Sequence, residues 1–164
     1  LLQSFEKLAK KYSNISLHVA GDGPLKQAVV ESTKKLPVVY HGFVPYNSLP
    51  DLYQQADIFC APSYTQKIFN IPIWQEYFSY TLMEAQASGL PIVSTLSGGI
   101  PEEVDNNLLI PENNQVALFQ ALETLISNES LRKELGQYNR QRAEKLFDLN
   151  KQVPQTEELI SRIL

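Results

Sequence analysis

Leu2, Phe5, Leu8, Ala9 and Tyr12 recur at the spacing of one helical face, with lysines between them. The spacing predicts an opening helix. Ile15 to Ala20 then reads as a short strand ended by Gly21-Asp22-Gly23-Pro24. Pro24 suits the first turn of a helix whose apolar side is Leu25, Ala28 and Val29. A second strand is predicted from Pro37 to His41, closed by Gly42, and a short helix from Ser48 to Ala56, with Leu49, Leu52 and Tyr53 inward. Asp57 to Ala61 is an apolar strand stopped by Pro62. From Ser63 to about Gln75 the pattern reads as an irregular loop, long for a compact domain. Phe78 to Ser88 is helical up to Gly89, Pro91 to Ser94 is a strand, Leu96 to Gly99 a glycine turn, and Asn107 to Ile110 a last short strand. Beyond Pro111 helical patterns cover roughly 114–127, 129–147 and 149–164.

Strands alternating with helices, and read as buried on both faces, predict an α/β fold: a doubly wound parallel sheet covered by helices, with a helical C-terminal tail. The 164 residues suffice for one well-packed core and show no internal repeat or linker, so residues 1–164 are read as a single domain. A composition 43% hydrophobic and 20% charged excludes the disordered and fibrous classes. The net charge of −4 argues against general affinity for nucleic acid. Cys60 is the only cysteine, so no internal disulfide forms, and no Cys/His cluster has zinc spacing. No apolar run approaches the length of a membrane span, and nothing resembles a signal peptide; a cytoplasmic, reducing location is expected. The chain opens without Met and inside a helical pattern, as expected of a piece of a longer protein.

Ligands of parallel sheets bind at the carboxyl ends of the strands. Gly21, Gly23, Gly42, Gly98 and Gly99 all follow predicted strands, and their recurrence along one edge favours a site there. Each alone is also what a strand-to-helix turn requires. Lys26 stands where a dinucleotide fingerprint has its third Gly, and no Walker-type Gly-Lys-Ser/Thr occurs. Glu76 and Glu84, eight residues apart, straddle a loop-to-helix boundary. A helix N-terminus suits phosphate, and flanking carboxylates suit the hydroxyls of sugar and ribose. On charge pattern alone, two solvated glutamates are the commoner outcome. His18 and His41 fall in strands, where core or supporting roles are expected; Cys60 reads as an inert buried thiol and Trp74 as a packing residue. Glu102 and Glu103 follow Pro101 at a helical turn, where the dipole alone favours acids.

The surrounding residues carry a resemblance. Glu76, Phe78, Glu84, Ala85, Ala87, Gly89 and Pro91 match, in order and spacing, the E-x-F-G-x-x-x-x-E-A-x-A-x-G-x-P-V motif of glycosyltransferase family 4. These enzymes have the GT-B fold, and the motif belongs to their C-terminal, donor-binding domain. Val19 to Pro24 resembles that family's V-G-x-G-P turn, His41 to Val44 its F-x-G-x-V, Ala56 to Ser63 its A-D-x-F-x-x-P-S, and Gly98 to Val104 its G-G-x-P-E-x-V. Two departures stand out. Ser79 replaces the usual Gly after Phe, at a place where a positive φ would be costly. The G-R-x-x-x-x-K-G turn that holds the donor diphosphate in the family does not occur in these residues.

The resemblance implies a Rossmann-like C-terminal half of a retaining, metal-independent glycosyltransferase. Such an enzyme moves a hexose-type sugar from a nucleoside diphosphate sugar to an acceptor hydroxyl and needs no cofactor. By resemblance Glu76 contacts the transferred sugar and favours positive charge at its anomeric carbon, and Glu84 accepts from the ribose hydroxyls. The N–H groups of Ser79, Tyr80 and Thr81 meet the distal phosphate, Phe43 and Val44 border the base, and Gly21, Asp22 and Gly23 line the nucleotide side. The implied partners are the donor, an acceptor (glycan, lipid or small molecule) and an acceptor-binding N-terminal domain of the same chain, through which peripheral membrane contact is expected. On this reading the isolated piece does not catalyse transfer. Three alternatives stay open: a nucleotide-sugar-binding module without transfer, a GT-B-type epimerase or phosphorylase, and a doubly wound protein with no sugar ligand.

Overall fold

The computed structural model describes residues 1–105 and 107–163. Helix α1 (Leu2–Lys11) leads into strand β1 (Leu17–Ala20), helix α2 (Lys26–Ser32) and strand β2 (Val38–Gly42). A 3-10 turn at Tyr46–Ser48 runs into helix α3 (Leu49–Gln54) and strand β3 (Phe59–Ala61). Strands β4 (Gln66–Ile68) and β5 (Ile71–Trp74) come next, then helix α4 (Tyr80–Ala87), strand β6 (Ile92–Thr95), helix α5 (Ile100–Glu103) and strand β7 (Leu108–Ile110). Helices α6 (Gln115–Ser127), α7 (Glu129–Leu146) and α8 (Leu149–Ile163) complete the order. Asn114 and Asn128 start α6 and α7 by accepting the N–H of Ala117 and Leu131.

The expected parallel pairing is present in two ladders: β1 with β2, and β3–β6–β7 with β6 central. Strand β6 shows why the protein is doubly wound. Successive side chains of a strand point to opposite faces. Ile92 enters a cluster with Leu82, Ala85, Leu90, Ile100 and Val104, under α4 and α5. Val93 enters the other cluster with Leu8, Leu118, Leu122, Leu125 and Leu135, under α1, α6 and α7. Both faces are therefore covered, and all four residues of β6 are buried.

Three sequence expectations are corrected. Burial on both faces holds for β6 but not for β1 and β2, whose residues alternate between exposed and covered. No residue of α2 is buried, so this part of the sheet keeps an open side. His18 and His41 lie on that open side rather than in the core, stacked at 5.2 Å between ring centroids. The segment from Ser63 to Gln75 is not an irregular loop. It forms an antiparallel β4–β5 hairpin, pairing Ile68 with Ile71 across Phe69 and Asn70, which both have positive φ. That two-residue turn matches the twist of hairpin strands.

Helix α4 is fastened to α7. A Cβ added at Gly136 would overlap the carbonyl oxygen of Gly89, so α7 approaches the end of α4 as closely as backbone permits. Asn139 donates to Leu90 O at 2.6 Å, and Arg140 donates to Ala87 O. We expect Gly136→Ala to force the two helices apart, lowering stability in urea denaturation by about 1–3 kcal/mol, the usual cost of inserting atoms into a packed contact. An unchanged midpoint would contradict this close approach.

Candidate functional site

The site forms where the β5–α4 connection crosses the turn after β6. The Gly99 N–H donates to Glu76 O at 2.9 Å. Gly98 has φ +53, and a Cβ there would overlap Glu76 O, while one at Gly99 would overlap Tyr77 O. The two glycines are thus more than a turn. They let the backbone carrying Glu76 lie directly against the carboxyl end of β6.

Three residues later Ser79 precedes the first turn of α4. Its φ is −112, so Ser in place of Gly carries no backbone strain there. Its N–H donates to Glu103 Oε2 at 2.8 Å, and its hydroxyl lies 2.9 Å from that of Thr81. The N–H groups of Tyr80 and Thr81 have no acceptor among the described residues, as expected at a helix start. Of the three amides expected to face a phosphate, one is occupied by an internal carboxylate and two are free.

Glu103 is the residue at the site whose burial the sequence did not reveal. It is only 3% exposed, and its Oε1 is buried without a hydrogen-bond partner among the described residues. Burial raises its pKa above the ordinary carboxyl value, and the nearby Glu76 charge adds to this; the Ser79 N–H and Arg142 oppose it. Arg142, from α7, closes the last turn of α5 by donating to Glu103 O at 2.7 Å and Glu102 O at 2.8 Å, and it pairs with Asp105 at 2.9 Å. A Glu after Pro-Glu in sequence carries no mark of burial, so nothing distinguished Glu103 from its exposed neighbour Glu102.

Glu84 sits half-buried on α4, where its Oε2 accepts the phenol of Tyr53 at 2.8 Å. Burial, then the Glu84 carboxylate, push that phenol's pKa up, so it stays a donor. The second oxygen of Glu84 remains for another donor. Away from α4, the Gly21 N–H donates to Gly42 O at 2.7 Å, which ties the turns after β1 and β2 together. Asp22 is held by the Tyr40 phenol and by Lys26 at 3.0 Å, and both keep its carboxyl pKa low. Gly23 is exposed, Phe43 is 78% exposed, and Val44 is half-buried. No described hydrogen bond joins this group to Glu76 or α4. Cys60 is half-buried in β3 rather than fully buried, and burial pushes its thiol pKa up to about 12.

Both feet of the β4–β5 hairpin are clamped. Thr65 donates its hydroxyl and its N–H to Glu112, at 2.6 and 3.0 Å, and lies 3.3 Å from the Ser97 hydroxyl. Gln75, at the other foot, donates to the Thr65 hydroxyl at 3.1 Å. The Thr65 and Ser97 hydroxyls hold the Glu112 carboxyl below its ordinary pKa.

With this geometry in place, comparison with known proteins is informative. Residues 1–142 match the family model described as "Glycosyl transferases group 1". An uncharacterized glycosyltransferase of Haemophilus influenzae is 31% identical over 137 residues, 80% of this chain and 36% of that protein. Among solved structures, a sucrose-phosphate synthase of Thermosynechococcus elongatus has a TM-score of 0.74 at 22% identity, covering 99% of this chain and 42% of its own. Anabaena Alr3699/HepE, solved in complex with UDP-glucose, has a TM-score of 0.76 at 20% identity over 99% of this chain and 44% of its own. The chain thus spans less than half the length of each of these proteins, and the two structural likenesses establish the α/β fold of a GT-B C-terminal domain.

Two expectations follow. In Gly99→Ala the Tyr77 carbonyl must move, so the amides of residue 99 and Ser79, which donate to Glu76 O and Glu103, should lose hydrogen-exchange protection; unchanged protection would show that the contact does not hold this segment. For Glu103, the folded state keeps its proton to higher pH than the unfolded chain does, so stability is lost as pH rises from the ordinary glutamate value through the raised one. Glu103→Gln removes that loss. Urea midpoints compared from about pH 4 to about pH 8 should shift in favour of the variant as pH rises, and a pH-independent difference would contradict the raised pKa.

Proposed function

Because this chain belongs to the group 1 glycosyl transferases, we propose that it is the donor-binding half of a retaining family 4 enzyme that moves a hexose-type sugar from a nucleoside diphosphate to an acceptor hydroxyl. One observation supports this above the others: Glu76 is locked against the carboxyl end of β6, directly ahead of a helix that presents two free amides. The distal phosphate of the donor lies over the N–H groups of Tyr80 and Thr81, where the helix dipole and unpaired donors stabilise negative charge that grows as the glycosidic bond breaks. Ser79 contributes its hydroxyl, since its N–H serves Glu103. Glu76 accepts from hydroxyls of the transferred sugar and stabilises the cationic anomeric carbon. Glu84, oriented by Tyr53, accepts from the ribose. Gly21, Asp22 and Gly23 line the nucleotide side, and Phe43 with Val44 borders the base.

Among the described residues the carboxylate near Glu76 is Glu103, and it is buried against the Ser79 N–H rather than open to a sugar, so the nucleophile-and-acid pair of a retaining glycosidase is not the reading adopted. The departing phosphate oxygen therefore takes the acceptor proton on the same face of the sugar, which retains configuration. No metal is assigned a role, because helix amides supply the positive potential.

The test is Glu76→Gln in the complete protein. Turnover should fall about 10²- to 10³-fold, the scale for removing one group that stabilises developing charge. Calorimetric affinity for the nucleoside diphosphate should stay within about threefold. Unchanged turnover would remove Glu76 from the reaction, and lost nucleotide binding would make its role structural.

A further inference from the structure

The β4–β5 hairpin stands between β3 and the Glu76 connection, and the donor site as proposed makes no use of it. It carries Trp74, which is 45% exposed and is the only tryptophan of these residues. Trp74 lines both of two shallow concavities. One, of about 300 Å³, is formed by Trp74 with Ala61, Pro62, Ser63 and Tyr64. The other, of about 190 Å³, reaches Ile73, Gln75 and Tyr77.

We propose that Trp74 and Tyr64 form the floor of a subsite for an uncharged pyranose ring of the acceptor. This rests on the glycosyl-transfer reading of the adjoining site. A pyranose has one face of C–H bonds and a rim of hydroxyls. The flat indole takes the first, and dispersed polar groups take the second. The rim partners are at hand: the hydroxyls of Ser63, Tyr64 and Tyr77 have no hydrogen-bond partner among the described residues, and Gln75 uses its amide nitrogen but not its oxygen. None of the side chains lining either concavity is ionised. A phosphate or carboxylate ligand would go unmatched there, whereas a neutral sugar would not.

Position and rigidity agree with this role. Trp74 precedes Glu76 by two residues, a span of at most roughly 7 Å of backbone, so the platform adjoins the segment that carries the carboxylate. The clamp of Thr65 and Gln75 through Glu112 and Ser97 fixes the hairpin before ligand arrives. A fixed platform reduces the ordering cost of binding.

Trp74 emission reports the site. The protein is titrated with maltose, lactose and a mannobiose, with sorbitol as an acyclic control and uridine diphosphate as a donor-side probe. At least one disaccharide should change Trp74 emission at millimolar concentration, and sorbitol should not. In calorimetry Trp74→Ala should weaken that disaccharide about tenfold, Trp74→Phe should restore part of the loss, and both should bind uridine diphosphate as before. If no disaccharide changes the emission, or if Trp74→Ala binds them like the parent, the subsite is overturned, including the case where the hairpin serves a protein partner. Failure of uridine diphosphate alone counts against the donor reading and leaves the subsite standing.

Discussion

The contact on which the site depends is one of backbone with backbone: the turn at Gly98 and Gly99 lies so close to Glu76 and Tyr77 that no side chain fits between them. From it the remaining geometry follows in order. Gly99 is also the cap of α5, so the contact that seats Glu76 sets where α5 begins. One turn on, α5 delivers Glu103 beneath the Ser79 N–H. Arg142 and Asn139 then tie that arrangement to α7, and α7 presses on the end of α4 through Gly136. A site built this way needs few side chains, because excluded volume holds it.

The buried carboxylate is an unusual neighbour for a place expected to receive phosphate. Glu103 places a carboxyl at the N-terminal end of α4, where the dipole favours its charged form and burial opposes it. It satisfies one amide and leaves two. On the proposed reading, the helix end is divided between an internal carboxyl and the donor, and the positive potential left for the donor is smaller than the bare helix offers.

Much of the fold was legible in the chain. Helices α1, α6 and α7 carry apolar positions at helical spacing, and β6 lies between a Gly-Leu-Pro stop and a glycine turn. These signals are local. The order of Glu76, Phe78, Glu84 and Gly89 likewise places the helix start and its two carboxylates. What was hidden depends on partners distant in sequence. Tyr53 meets Glu84 and Ser79 meets Glu103 across separations of 31 and 24 residues. The hairpin was illegible for another reason: Ile68, Phe69, Ile71, Ile73 and Trp74 are all exposed, so no inward-outward alternation marks the strands. Reading β1 and β2 as buried on both faces failed because apolar content alone does not say whether a second helix arrives.

Asn107 and Asn139 form a reciprocal amide pair, each donating to the other at 2.8 and 3.0 Å, while Asn107 also accepts from Ile92 N and Asn139 donates to Leu90 O. Each amide offers one face to its twin and another to the chain entering β6. Change at Asn107 strands polar atoms of the fully buried Asn139, where an unmade hydrogen bond costs more than a made one gains. The two positions are therefore constrained to vary in concert, so a lineage that drifted at Asn139 would carry a matching replacement at Asn107. Long-range covariation in this chain should be sought first at that pair.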